Sequence, residues 1–335
     1  MKQTVLLLLS LLLILFSGCS TKKFYEPTTI NEQEYPSHYA KQEIIDSTLD
    51  GAVLEDGQLL YSDGTLGNTI PDGYRFVGRS DGWNIAAKMN GDVLLQSVDD
   101  NSSIHELSLK KTVAAATVQG DTLAVLFASN EMAIYKISTK SMIMKELGTA
   151  PVAIDSRITN PRFLNELVLF LTLDGKIVIV NSTNKKVLRS MIVSSEENFN
   201  NIIYFNVIDD NLLAATPFRV FSLAGKEYRE SYEIRNIDYS DAGLFLTTKQ
   251  GEVVSLSNDL KVKAKRKFPF AHFLGLIVHN DTLYLLEKEG YIISLSLDLE
   301  HYEVYEADFD DGFIFIGKDA FYVGDRYFKV LSEQK

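Results

Sequence analysis

From about residue 50 onward one unit recurs in the chain: a strand of β-branched and large apolar residues, a tight turn, a second such strand, then a polar loop. The clearest copy runs from Leu167 to Leu173, turns at Asp174-Gly175 and continues from Lys176 to Val180. The same pattern spans Leu244 to Leu256 around Gln250-Gly251, Leu283 to Leu295 around Glu289-Gly290, and Ile85 to Leu95 around Asn90-Gly91. Such turns need positive φ, which glycine adopts without steric cost, so these dipeptides between apolar runs read as two-residue β-hairpin turns. Weaker copies lie at Leu123 to Ile137 (turn Ser129-Asn130), Leu212 to Leu223 (Pro217-Phe218) and Ala320 to Leu331 (Gly324-Asp325).

The turns fall at 91, 130, 175, 218, 251, 290 and 325, with spacings of 39, 45, 43, 33, 39 and 35 and a mean of 39. A hairpin per unit at a period near 40 predicts an all-β chain whose units are four-stranded blades of a β-propeller. Seven turns, and some 286 residues at about 41 each, make seven blades the natural count, with eight as the alternative. The segment Ala52 to Leu66 also carries hairpin residues. It either closes the ring by pairing with the last strand, Tyr327 to Ser332, or supplies the eighth blade. Closure from the N-terminal side is expected because an unpaired final blade would expose strand edges.

The start of the chain carries an address. Lys2 precedes the apolar run Val5 to Phe16, which is too short for a helix spanning a bilayer core of ~30 Å. Its length and flanks fit a secretory signal covering residues 1–18. Residues 19–50 hold two prolines and scattered polar residues with no apolar period, and read as a flexible tether ahead of a propeller at 51–335. The sequence Phe16-Ser17-Gly18-Cys19-Ser20 resembles the lipobox of bacterial lipoproteins, and Cys19 is the single cysteine of the chain. That resemblance implies diacylation of Cys19 after cleavage before it. Ser20, where enteric inner-membrane lipoproteins carry Asp, implies an outer-membrane address, facing the periplasm. Several acyl chains would hold the protein stably on a membrane.

The copy from Leu167 to Leu188 resembles the PQQ-like repeat: apolar strand, Asp-Gly-Lys, apolar strand, then the polar turn Asn181 to Lys185. An exported, lipidated propeller of this kind is similar to the BamB-type lipoproteins of the outer-membrane β-barrel assembly machinery. The resemblance implies a non-catalytic, monomeric scaffold that docks an envelope protein. The repeat's tryptophan is absent from every copy; Phe and Tyr fill the aromatic positions, and the one tryptophan is Trp83.

Composition narrows the function further. With 33 Lys+Arg against 45 Asp+Glu the net charge is −12, which argues against a nucleic-acid partner. No cofactor or metal is expected. Quinoprotein dehydrogenases share the fold, but by family resemblance they need a tryptophan floor, a calcium ion and often a vicinal cysteine pair. Asp308 to Gly312 is the nearest approach to a calcium loop and lacks the remaining ligand spacing. His38, His105, His272, His279 and His301 form no metal-ligand spacing, and no nucleophile elbow or Walker loop occurs. Lys261, Lys263 and Lys265 alternate with Leu260, Val262 and Ala264, and Arg266 and Lys267 follow. That period suits an outer strand protected from edge pairing by lysine; the functional alternative is a basic contact strip for an acidic partner or anionic lipid. The acidic stretch Glu300 to Asp311 reads as solvated surface. Two alternatives remain beside the scaffold: an exported enzyme or ligand-binding protein using the central funnel, and a surface-displayed adhesin.

Overall fold

The structure is a computed structural model and describes residues 23–330, apart from residues 101 and 209. Every regular element among them is a β-strand, and the strands form eight four-stranded antiparallel sheets. Seven sheets follow the chain in order: blade 1 (44–69), blade 2 (75–108), blade 3 (113–147), blade 4 (162–192), blade 5 (204–231), blade 6 (234–267) and blade 7 (273–306). Blade 8 takes three strands from 314–329 and its fourth from His38–Tyr39. The first strands of neighbouring blades pack against one another around the axis, and the fourth strands form the rim. Burial follows this order: second and third strands such as Leu123–Phe127 are almost wholly buried, whereas rim strands such as Lys186–Ile192 are mostly exposed.

Eight apolar clusters hold the ring, one at each junction between blades. Ile85, Val93, Val125 and Phe127 join blades 2 and 3; Leu213, Val220, Leu246 and Val254 join blades 5 and 6. Ile44, Leu54 and Leu60 of blade 1 meet Phe315 and Tyr322 of blade 8, which closes the circle. Fully buried phenylalanines recur from blade 2 to blade 8: Phe76, Phe127, Phe170, Phe221, Phe245, Phe273 and Phe321. Side chains of this size dominate core energetics.

Each turn anticipated from the sequence joins the second and third strands of a blade. The count is eight rather than seven, because Ala52 to Leu66 belongs to a complete blade with its own turn at Gly57. Closure is made by a different piece, His38–Tyr39, which pairs with Tyr327 and Arg326. Both roles proposed for the N-terminal region are therefore filled, by separate segments. The glycine turns are also one residue longer than expected. Thr172 N–H bonds the Lys176 carbonyl (2.9 Å), leaving three residues in the loop, with Gly175 at φ +79°. This is a three-residue loop ending in a left-handed residue. Blade 3 uses Asn130 at φ +65° for the same purpose, as asparagine tolerates that region. Blades 5 and 8 keep true two-residue turns, Thr216 pairing Arg219 and Val323 pairing Arg326.

The tether expected over 19–50 is corrected for its described part. Ile44–Ser47 is the axial strand of blade 1. Residues 23–37 lie along the rim: Asn31 and Tyr35 N–H groups bond the Val304 and Glu306 carbonyls of the blade 7 rim strand (2.8 and 2.7 Å). Tyr25 is buried edge-on against Phe268 and Tyr291, and Tyr35 against Tyr305. Cys19 and the signal lie outside the described residues.

Candidate functional site

Antiparallel order within each blade places all second-to-third strand turns on one face of the disc, together with the connections from each rim strand to the next axial strand. Two of those connections are long, 148–161 and 193–203. The first enters the centre of the ring. The Asn160 amide nitrogen donates to Asp50 Oδ2 (2.8 Å) and to the Val77 carbonyl (3.0 Å), while its oxygen accepts from Ala116 N–H (2.9 Å). One side chain thus ties blades 1, 2 and 3. Gly78 makes room for it: a Cβ there would lie 2.3 Å from the Asn160 amide. Three residues earlier, Arg157 grips Asp155 (2.6 Å) and reaches the Arg235 carbonyl of blade 6. Asn201 fixes this hook by bonding the carbonyls of Asp155 and Arg157 (3.2 and 2.7 Å). Irregular backbone in an interior must find partners for its polar groups, and these amides and the guanidinium supply them.

Electrostatics follow burial. Burial pushes the Asp50 carboxyl up, against hydrogen bonds from Asn160 and Arg79 N–H. Asp238, on the axial strand of blade 6, is also raised by burial while accepting from Val278 and Tyr239 N–H (3.1 and 2.8 Å). For Asp155 burial acts upward, but the Arg157 hydrogen bonds and charge together outweigh it and hold the carboxyl below its ordinary value. Among the described residues no group of three or more His, Cys, Asp or Glu could hold a metal ion. Each of these inward carboxylates is occupied by bonds to its own ring.

Beside the hook the face opens into a groove of about 670 Å³ between blades 5 and 6. Phe199, Phe218 and Tyr232 give it aromatic walls, and Glu196, Glu197 and Glu233 line it with carboxylates. Phe199 and Phe218 are shared with a second hollow of about 420 Å³ that extends to Arg157, Lys249 and His272. Lys249 stands over the Phe218 ring at 5.1 Å, and Arg219 pairs with Glu196 at 3.5 Å. Further large apolar side chains stand open on the same face: Met89, Val152, Phe270 and Phe313 with Phe199, from 46% exposed for Phe199 to 82% for Val152. Phe199 and Phe270 have left-handed backbones, φ +52° and +66°. A bulky residue held there costs about 1–2 kcal/mol that glycine would not. Exposed apolar side chains rimmed by polar groups, as Phe199 is here, are a feature of binding surfaces.

The basic strip lies where an outer strand was expected, on the rim strand Val262–Lys267 of blade 6. Its cations are divided among local partners. Lys261 pairs with Asp259 (2.6 Å), Lys265 and Lys267 with Glu252 (2.9 and 3.9 Å), and Lys263 donates to the Ala242 carbonyl. Arg266 donates to the Leu299 and Glu300 carbonyls and covers the Tyr302 ring at 4.4 Å. Asp308 of the calcium-like run pairs with Arg326 (3.0 Å). The 148–161 hook and the 193–203 loop were not singled out by motif. Their signal was the spacing: the 45- and 43-residue intervals are the two longest, and their extra residues are these two connections.

No protein-family profile matches the chain. Two curated relatives from Helicobacter pylori strains, both named plasminogen-binding protein PgbB, are 27% and 26% identical over 374 residues, covering 96% of this chain and 69% of theirs. The crystal structure of BamB from Moraxella catarrhalis superimposes with a TM-score of 0.66 over 88% of this chain and 98% of that one, at 12% identity. The C-terminal WD40 domain of Sif2 gives 0.62 over 91% of this chain and 100% of its own, at 11% identity. These structural likenesses establish a shared propeller fold.

Proposed function

We propose that this protein is a non-catalytic, protein-binding propeller of the bacterial cell envelope, anchored in the outer membrane through Cys19. Its partner docks on the face that carries the groove between blades 5 and 6. The observation that carries the proposal is the amphipathic groove itself, aromatic side chains set among Glu196, Glu197 and Glu233 with Phe199 held open by strained backbone. That chemistry suits a partner segment presenting lysine or arginine beside an apolar residue. The PgbB relatives, named for a protein ligand, support a binding role, and BamB shares the propeller fold. An envelope partner, such as the barrel assembly machinery, is the primary reading.

Placing a photo-crosslinking amino acid at position 199 in cells tests it, with position 142 on the blade 3 rim as control. Specific adducts from 199 and not from 142 are expected. Equal or no adducts from both sites count against the proposal. A second reading, plasminogen binding on the cell surface, is favoured by the 27% identity to PgbB across 96% of the chain. Binding of purified plasminogen to intact cells, abolished by protease shaving, would select it over the periplasmic scaffold.

A further inference from the structure

A third hollow lies on the rim at the junction of blades 6 and 7, where the described chain begins. It has about 620 Å³ and is lined by Lys23, Phe24, Arg266, Lys267, Phe270 and Tyr302 among others. Phe24 and Phe270 are each about half exposed, and Lys23 Nζ stands 5.2 Å from the Phe270 ring centroid. The segment is fixed to the body at once: Tyr25 is buried between Phe268 and Tyr291, and Asn31 bonds the blade 7 rim. Only four peptide steps separate Cys19 from Lys23. Even fully extended, they span about 14 Å. An acyl anchor at Cys19 therefore does not leave the disc free on a long stalk.

We propose that the blade 6–7 rim is a membrane-apposed edge, with Phe24 and Phe270 entering the interface of a phospholipid bilayer and Lys23 and Lys267 meeting its headgroups. The inference rests on the reading of Cys19 as the acylated residue. Three features converge on one occupant. The tether length keeps this sector within about 14 Å of Cys19. The aromatic side chains are apolar and about half exposed, as interfacial residues are. The cations beside them oppose the repulsion that a chain of net charge −12 would meet at anionic lipid. Glu26 also lines the hollow, so the contact is apolar first and electrostatic second. The disc would stand with blades 6 and 7 down and blades 2 and 3 farthest from the lipid.

The chain has one cysteine, consumed by acylation, so single labels are available by substitution. The full-length lipoprotein carrying Phe270→Cys or, as control, Met142→Cys is labelled with a polarity-sensitive fluorophore. It is then reconstituted into vesicles of phosphatidylethanolamine and phosphatidylglycerol with and without brominated acyl chains. Mass analysis of the N-terminal peptide first establishes acylation. The label at 270 should be quenched at least about two-fold, as expected for a group at the headgroup–acyl boundary, and that at 142 left unchanged. With acylation established, no quenching at 270, or equal quenching at both sites, overturns the proposal. An unmodified Cys19 overturns the anchor reading, and this inference with it, and the mass alone distinguishes that outcome.

Discussion

Among the described residues, two of the segments outside the repeat are held in opposite ways. The 148–161 connection fills the middle of the ring and is fixed by polar bonds: Asn160 to three blades, and Arg157 to Asp155 and the Arg235 carbonyl. The 23–37 strap wraps the rim and is fixed by two buried tyrosines and a few backbone bonds to an open strand edge. Near the axis the neighbouring surface is backbone and carboxylate, so an intruding loop must match hydrogen bonds. At the rim the gaps between blades are apolar, and a tyrosine ring fills one; the Tyr35 hydroxyl is satisfied by the Lys329 carbonyl. The difference teaches where each segment is vulnerable: the hook to loss of a single amide or charge, the strap to loss of a ring.

The largest effect should come from the strap. Tyr35→Ala removes a ring packed on Tyr305 and Phe328, and a hydroxyl bonded to the Lys329 carbonyl at 2.9 Å. A loss of about 3–5 kcal/mol is expected, read as a fall in Tm, with early proteolytic cleavage before residue 40. An unchanged Tm and protease pattern would mean that the strap does not secure closure. Asn160→Ala comes next. It leaves the Ala116 N–H unpaired and Asp50 with only its Arg79 N–H bond in the ring centre, and should cost about 2–3 kcal/mol by denaturant unfolding. A cost below that of an ordinary surface substitution would show the hook to be dispensable.

Smaller, and pH-dependent, is Asp155→Asn. The Asp155 carboxyl is held below its ordinary value, so its contribution is present above the unfolded carboxylate pKa of about 4 and is lost as pH falls through the lower folded value. The variant should be about 1 kcal/mol less stable at neutral pH, the gap closing on acidification. A gap that persists in acid would assign the loss to packing. The smallest change is of opposite sign. Phe199→Gly and Phe270→Gly relieve left-handed backbone and should leave Tm unchanged or raise stability by up to about 1 kcal/mol, while reducing contact at each surface. A marked destabilisation would mean that these rings support the fold rather than a partner or membrane.

Much of the architecture was legible because hairpins repeat locally. Asp174-Gly175, Gln250-Gly251 and Glu289-Gly290 each announce two strands and the turn between them, and all three lie where that pattern put them. Blade 1 was miscounted because its short strands, Gly51–Leu54 and Gln58–Tyr61, lie in a segment that served equally well as a closing strand. The basic strip was legible as an outer strand, but the pairing of Lys265 with Glu252 and of Arg266 with carbonyls of blade 7 was not, since those partners come from other strands. The groove was invisible as a motif: Phe199, Phe218 and Glu233 come from three separate turns.

The amino-acid order by itself determined the β-hairpin unit and its period, because these depend on neighbours along the chain and on backbone preferences of single residues. Only the tertiary structure decided that eight units close the circle, that His38–Tyr39 completes the last of them, and that 148–161 lies at the centre. Ring closure depends on how wide each wedge is once its side chains pack, a sum over all eight junctions that no single repeat encodes.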